Sequence, residues 1–311
     1  MSVRFLPVIG MLPMRYALAC LLLVSSTAAA AGPAVTPAAR SYTVTAPDGV
    51  TLAVQEHGAT DGPAIVFVHG LLGSRINWDA QLADARLQGY RLITYDLRGH
   101  GLSGKPIAAS AYRDGMRWAD DLAAVLKAAN ARNAVLVGWS LGGAVITNYL
   151  TRHGDAGLAG VVYVDGVIEL RAEQLGAHPA VYRDLVSDDL RTHLQAVQDF
   201  LRLCFATQPP APVFDTLLAN ASLASWDMQR AVQGMSIDVA GLQRTRLPVL
   251  LMYGARDALV TTEPTLARAR QLQPRAQTRV YPDAGHAPFV EDSVHFTQDL
   301  LRFVEQAEAA H

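Results

Sequence analysis

Ala134-Val135-Leu136-Val137-Gly138-Trp139-Ser140-Leu141-Gly142-Gly143 is the stretch whose reading decides the fold. The first four residues are a short apolar run of the kind that forms a buried strand. The segment from Ala144 to Leu150 has the apolar spacing of a helix packed on a sheet. Between them lies a Gly-x-Ser-x-Gly turn. Such a turn is so tight that the positions two before and two after the serine must be small. The serine is forced into a strained backbone conformation that lifts its hydroxyl clear of the sheet. It also sits at a helix N-terminus, where free N–H groups favour developing negative charge. Ser140 is therefore a candidate nucleophile.

The segments on either side extend the same pattern. Tyr42–Thr45 and Thr51–Gln55 flank Pro47-Asp48-Gly49 and read as an antiparallel hairpin. Ala64–Val68 is a continuous apolar run, as expected of a central parallel strand covered on both faces. Strands are also predicted at Arg91–Tyr95, Leu158–Val164, Leu247–Gly254 and Thr278–Tyr281. Helical spacing recurs over Met116–Ala129, Glu263–Leu272 and Ser293–Ala307. Alternating strands and helices predict an α/β fold with a mostly parallel, doubly wound sheet.

Between Val167 and Thr245 no buried strand is predicted. Leu190, Leu194, Val197, Leu201 and Phe205 fall on one helical face, with Ser187 as the expected N-cap. The expected organisation is residues 31–166 as the first part of the core, 167–245 as a helical cap, and 246–311 as the second part of the core. Leu175, Tyr182, Phe205, Phe214 and Trp226 in the cap are assigned to its core by default.

A serine hydroxyl needs a base, and the base needs an orienting acid. In sheets of this kind the reactive groups lie at the carboxyl ends of strands. Asp257 follows the strand ending at Gly254, and His286 follows the strand ending at Tyr281. Asp257 is preferred to Asp165, which also follows a strand, and to Asp283, which is near His286 in sequence. His69 and His100 lie in glycine-containing loops and are read as structural. Two backbone N–H groups must hold the oxyanion, and Leu71 and Leu141 are the candidates. The side chains of Leu72 and Trp139 are candidate pocket residues. No histidine or cysteine cluster has metal-ligand spacing, so no metal is expected.

The chain has 311 residues, half of them apolar, and a net charge of −2. That balance argues against a nucleic-acid partner held by bulk charge. Residues 1–30 read as a signal peptide: Arg4 and Arg15, an apolar stretch from Tyr16 to Val24, then the small residues Ser25 to Ala30. The apolar stretch is too short to span a bilayer well, so no stable membrane insertion is expected after cleavage. Translation from Met11 or Met14 would shorten a long leading segment. Export to the periplasm or medium follows. Cleavage would remove Cys20 and leave Cys204 as a lone cysteine, read as a buried small hydrophobe.

Five motifs then fall in one order: His69-Gly70, Asp96-x-Arg98-Gly99-His100-Gly101-x-Ser103, Gly138-Trp139-Ser140-Leu141-Gly142-Gly143, Gly254-x-x-Asp257 and Gly285-His286. From about residue 42 onward the chain resembles the α/β-hydrolase superfamily. The elbow and the Tyr95–Pro106 stretch look most like capped esterases and the cofactor-free haloperoxidase/perhydrolase group. That resemblance implies a serine hydrolase of a small carboxylic ester or lactone, with Ser140, His286 and Asp257 as its triad and no cofactor. The same residues could serve a perhydrolase or a C–C bond hydrolase. A slow-turnover ligand-binding protein is a further alternative. The loop after Gly70 lacks the proline expected of efficient perhydrolases.

Overall fold

The computed structural model describes residues 39–310. The expected signal peptide lies outside them. Eight strands form one sheet: β1 (Arg40–Thr45), β2 (Thr51–Gly58), β3 (Ala64–Val68), β4 (Arg91–Tyr95), β5 (Ala134–Trp139), β6 (Leu158–Val164), β7 (Val249–Gly254) and β8 (Gln277–Tyr281). Their order is β1-β2-β4-β3-β5-β6-β7-β8. β2 runs antiparallel to both its neighbours, and every pairing from β4 to β8 is parallel.

The central strands show why apolar runs were the right signal. Every residue of β3, β5, β6 and β7 is buried. Helices cover both faces, so no side chain of these strands can be polar without cost. Helix Gly115–Ala128 packs on helix Leu141–His153. The terminal helix Ser293–Ala309 lies on β6, bringing Phe303 and Ala307 against Gly160.

The hairpin is longer than its apolar pattern. Arg40 pairs with Glu56 in register. The Tyr42 hydroxyl donates to Glu56 Oε1 at 2.6 Å, and Arg91 Nε donates to Oε2 at 2.7 Å. Polar cross-strand pairs extend these strands, and hydrophobic alternation does not register them.

Between β6 and β7 the chain is helical, with helices Pro179–Asp184, Leu190–Leu203, Ala211–Ala221, Trp226–Val232 and Ala240–Arg244. Two details differ from expectation. The N-cap of Leu190–Leu203 is Asp189, whose Oδ1 accepts from Thr192 N at 2.8 Å; Ser187 instead accepts from Asp189 N. The buried face of that helix carries His193, Ala196, Val197, Phe200 and Leu201, while Leu190 and Leu194 are exposed. His193 is admitted to that face because its Nδ1 bonds the Leu185 carbonyl at 2.8 Å and its ring sits edge-on to Trp226. Cys204 is buried on the same helix end, and burial pushes its thiol up. Among the described residues no helix is long and apolar enough to cross a membrane.

The loop after β4 is pinned by a buried arginine. Arg98 Nε and Nη2 form a fork on Asp121, at 2.7 and 2.6 Å. Its Nη1 donates to Asp48 Oδ2 and to the Ala111 carbonyl, both at 2.9 Å. Asp96 accepts from Arg75 N and Leu102 N, at 2.9 and 2.8 Å. The motif Asp96 to Ser103 is thus a scaffold for the strand-end loops.

Candidate active site

Ser140 stands between β5 and helix Leu141–His153 with φ 52° and ψ −115°, a costly region for a residue with a side chain. Backbone bonds hold it there. Its N–H donates to the Val164 carbonyl at 3.0 Å, and its carbonyl accepts from Gly143 N and Val167 N, each at 2.9 Å. A Cβ on Gly138 would lie 2.6 Å from the Gly142 carbonyl oxygen, and one on Gly142 would lie 2.3 Å from that of Val68. Neither atom can retreat without moving the helix Leu141–His153 or strand β3. Gly142→Ala is therefore expected to cost about 3 kcal/mol, read as a lower urea midpoint. A midpoint equal to that of wild type would show that the turn tolerates a methyl group.

Asp257 and His286 meet directly. His286 Nδ1 lies 2.7 Å from Asp257 Oδ2, with both side chains enclosed. Asp257 Oδ1 accepts from Leu259 N and Val260 N, at 2.8 and 3.0 Å. The carboxylate accepts, so Nδ1 carries the hydrogen and Nε2 the lone pair. Nε2 is buried without a hydrogen-bond partner. Trp139 ties this loop to the elbow, because its Nε1 donates to the His286 carbonyl at 2.7 Å. Asp283 is at the surface, paired with Arg256.

Ser140, Leu71 and Leu141 share the wall of one cavity of about 310 Å³. The N–H groups of Leu71 and Leu141 make no hydrogen bond among the described residues. Leu72 and Trp139 do not line this cavity, contrary to expectation. Leu72 is buried with φ 60° and donates its N–H to His100 Nε2, whereas Trp139 packs between His286 and Phe289. Their apolar character reflects core packing beside the site.

His69 and His100 shape the loop that carries Leu71. His69 Nδ1 bonds the Gly70 carbonyl at 2.8 Å, and its Nε2 accepts from Leu97 N at 2.9 Å. His100 Nδ1 bonds the Arg98 carbonyl at 3.0 Å. Burial pushes the two down to about 4 and about 3, so both are neutral structural groups at pH 7.

The cap supplies most of the remaining cavity wall, including Leu175, Tyr182, Leu185, Phe200, Val232 and Met235, and Ala144, Leu259 and Val260 complete it from the core. Leu175 and Tyr182 thus face the cavity, whereas Phe205, Phe214 and Trp226 do not line it. The only polar side chains in the wall besides Ser140 and Tyr182 are Gln229 and Gln233. Helical spacing in the cap could mark an apolar face but not which side of it meets a void.

Asp165, at the end of β6, is the strand-end carboxylate to which Asp257 is preferred in sequence. It has φ 41°, is fully buried, and accepts from Gly254 N through Oδ1 at 2.8 Å. One polar atom each from Asp165, Asp257 and His286 lie within 4.8 Å of one another. A cation drawing on these three would compete for acceptors already used by Gly254 N, Leu259 N, Val260 N and His286 Nδ1, and among the carboxylate oxygens only Asp165 Oδ2 is without a partner.

A strained serine at a strand-to-helix turn, with a mostly parallel eight-stranded sheet behind it, defines an α/β-hydrolase architecture. The chain belongs to the alpha/beta hydrolase fold family, whose model matches residues 63–293. It lies near that family's esterase and haloperoxidase members. A solved structure from Burkholderia cenocepacia, provisionally described as an aryl esterase, is 62% identical, with a TM-score of 0.86, covering 87% of this chain and 100% of the other. A bifunctional esterase/perhydrolase from Acinetobacter calcoaceticus is 27% identical over 84% of this chain and 98% of its own length. A non-heme haloperoxidase from Rhodococcus erythropolis is 28% identical over 84% of this chain and 98% of its own.

Proposed function

We propose that this chain is an exported serine hydrolase that cleaves a carboxylic ester or lactone through an acyl-enzyme on Ser140. The observation that carries the reading is the buried Asp257–His286 pair, held by Trp139 to the elbow that presents Ser140 to an apolar cavity. Substrate binding brings the Ser140 hydroxyl to the free lone pair on His286 Nε2. Catalytic hydrogen bonds of this kind commonly tighten only in the complex. His286 takes the proton as Oγ attacks the carbonyl, and the Leu71 and Leu141 N–H groups receive the oxyanion. The alcohol leaves with the proton from His286, and water activated by the same nitrogen releases the acid. General acid–base transfer contributes on the order of 10²–10⁴-fold. Each oxyanion donor contributes on the order of 10²–10³-fold.

The cavity wall suits an uncharged acyl group, since it holds no lysine, arginine, aspartate or glutamate. The cap, residues 167–245, supplies much of that wall and so selects acyl length and shape. Export rests on residues 1–30. Peroxide in place of water would make the same acyl-enzyme a perhydrolase, a reading favoured by the name of the Acinetobacter relative.

The test is a panel of nitrophenyl esters of increasing acyl length, run in water and with added peroxide, before and after treatment with a fluorophosphonate. Turnover of uncharged acyl esters, abolished when one label is bound per chain at Ser140, is the expected result. Labelling without turnover of any ester would instead support a ligand-binding role. Absence of labelling at Ser140 would remove the nucleophile.

A further inference from the structure

We propose that Asp165 is a neutral carboxylic acid that donates its proton to the Asp257 carboxylate, so that His286 is oriented by a proton-sharing pair of aspartates. The inference rests on the role given to Asp257 and His286 above, and it assigns Asp165 as a positioning residue. Three observations carry it. The two aspartates and the imidazole bring polar atoms within 4.8 Å of one another, with the Asp165, Asp257 and His286 side chains all enclosed. The donors are unevenly shared. Asp257 receives three hydrogens, from Leu259 N, Val260 N and His286 Nδ1, whereas Asp165 receives one, from Gly254 N. Asp165 Oδ2 is buried and has no donor pointed at it.

Two adjacent buried carboxylates with no cation beside them among the described residues do not both stay ionised. The proton belongs on the oxygen that has no other donor. An O–H on Asp165 Oδ2 satisfies that atom and supplies a further hydrogen bond to Asp257. The groups facing the pair do not offset a second negative charge. They are Tyr253 from the sheet, Tyr182 and Cys204 from the cap, and Glu291 from the short helix Pro288–Glu291. None of these is a lysine or arginine. Tyr253 gives its hydroxyl to the Gly166 carbonyl at 2.7 Å. Glu291 spends its oxygens on Gly285 N and Thr207 N, each at 2.8 Å. Burial and the neighbouring Asp257 charge both hold the Asp165 carboxyl far above the usual carboxylate range.

The arrangement has a purpose. An ionised Asp165 would add a second full charge beside the imidazole and make it too reluctant to give up its proton to the leaving alcohol. A neutral Asp165 steadies Asp257 without that charge.

Asp165→Asn separates the two states. Asparagine keeps the acceptor for Gly254 N, offers an N–H to Asp257, and tolerates the positive φ at this position. Wild type and Asp165→Asn are expected to share the acidic limb of the pH profile of kcat/KM to within about 0.3 pH unit, with kcat within about threefold. Asp165→Ala, which lacks the donor, is expected to lose kcat by about tenfold or more with little change in KM. If Asp165 were ionised, its neutralisation would move the acidic limb down by a pH unit or more, because a charge some 5 Å from the imidazole would be lost. That shift, or equal losses in the Asn and Ala variants, would overturn the proposal. A second measurement does not depend on turnover. With ¹³C-carboxyl aspartate incorporated, one aspartate should remain protonated at pH 8 in wild type and be missing from the spectrum of Asp165→Asn. A spectrum in which every aspartate is ionised at pH 8 would reject the neutral acid even in a protein that hydrolyses esters well. A protonated aspartate in a protein without esterase activity would retain it while the hydrolase reading fails.

Discussion

Ser140→Ala is expected to lower kcat for nitrophenyl esters by at least 10⁴-fold while leaving the fold intact. The magnitude follows from the chemistry assigned to one oxygen. Without Oγ there is no acyl-enzyme, and His286 can only assist direct attack by water. Residues of a nucleophile–base–acid set act as a unit, so removing one member forfeits most of what the set supplies. The remaining rate would come from the oxyanion donors and from binding, on the order of 10³–10⁴ above water. The fold should survive because the hydroxyl makes no hydrogen bond among the described residues, whereas the Ser140 backbone makes three. Serine and alanine carry the same Cβ at φ 52°, so the change adds no backbone strain. Single-turnover and steady-state assays on purified protein decide the matter. Near-normal turnover would move the nucleophile elsewhere.

Arg98→Met should be the most damaging substitution outside the site, at about 3–5 kcal/mol. The guanidinium is buried and forks onto Asp121, itself fully enclosed. Removing one partner of such a pair leaves an uncompensated charge. Burial already pushes the Asp121 carboxyl up to about 6 against the pull of Arg98, and without the arginine it would rise further. The sign follows from linkage. A carboxyl whose folded value is raised contributes stability that is present below its unfolded value, near 3.8, and lost as pH climbs through the raised value. The deficit of the variant against wild type should therefore narrow between pH 7.5 and pH 5.5, because the stranded carboxyl takes up a proton. Urea unfolding at the two pH values measures it. A deficit under 1 kcal/mol at pH 7.5, or one that widens on acidification, would contradict this account. The substitution should also weaken ester turnover, since the same loop carries His100, which accepts from Leu72 N beside Leu71.

The sequence displayed most of the sheet, for a physical reason. β3, β4 and β6 occupy the residues expected of them; β3 and β6 are covered on both faces and so are written as uninterrupted apolar runs, while β4 keeps Leu92, Ile93 and Tyr95 buried around Thr94. The elbow was equally visible, because close backbone approach leaves glycine as the sole residue that fits at 138 and 142. The cap was harder to read. In helix Leu190–Leu203 the apolar spacing marks Val197 and Leu201 correctly, but Leu190 and Leu194 are exposed and the buried face turns toward His193, which pairs its ring nitrogen locally and so counts as apolar in context. Trp139 reads in sequence as a pocket residue for a similar reason. Its bond to the His286 carbonyl spans 147 residues, and no local pattern announces so distant a partner. Asp165 was visible as a strand-end carboxylate, but its relation to Asp257 depends on the sideways order β6-β7 in the sheet.

That order bears on how such a protein can change over time. The cap enters after Val164 and returns at Val249, and β6 and β7 are hydrogen-bonded neighbours, with Val161 paired to Val249. Because these strands are parallel, the insertion leaves at the carboxyl end of β6 and returns at the amino end of β7, with its two ends about 11 Å apart and fixed by the sheet. Closing a longer or shorter segment between such anchors changes the chain entropy only logarithmically, by about 0.6 kcal/mol per doubling of length. Lineages can therefore lengthen, shorten or rebuild the helices over Ser140 without disturbing the register of any strand. One chemical centre can thus be handed a succession of roofs, each admitting a different guest.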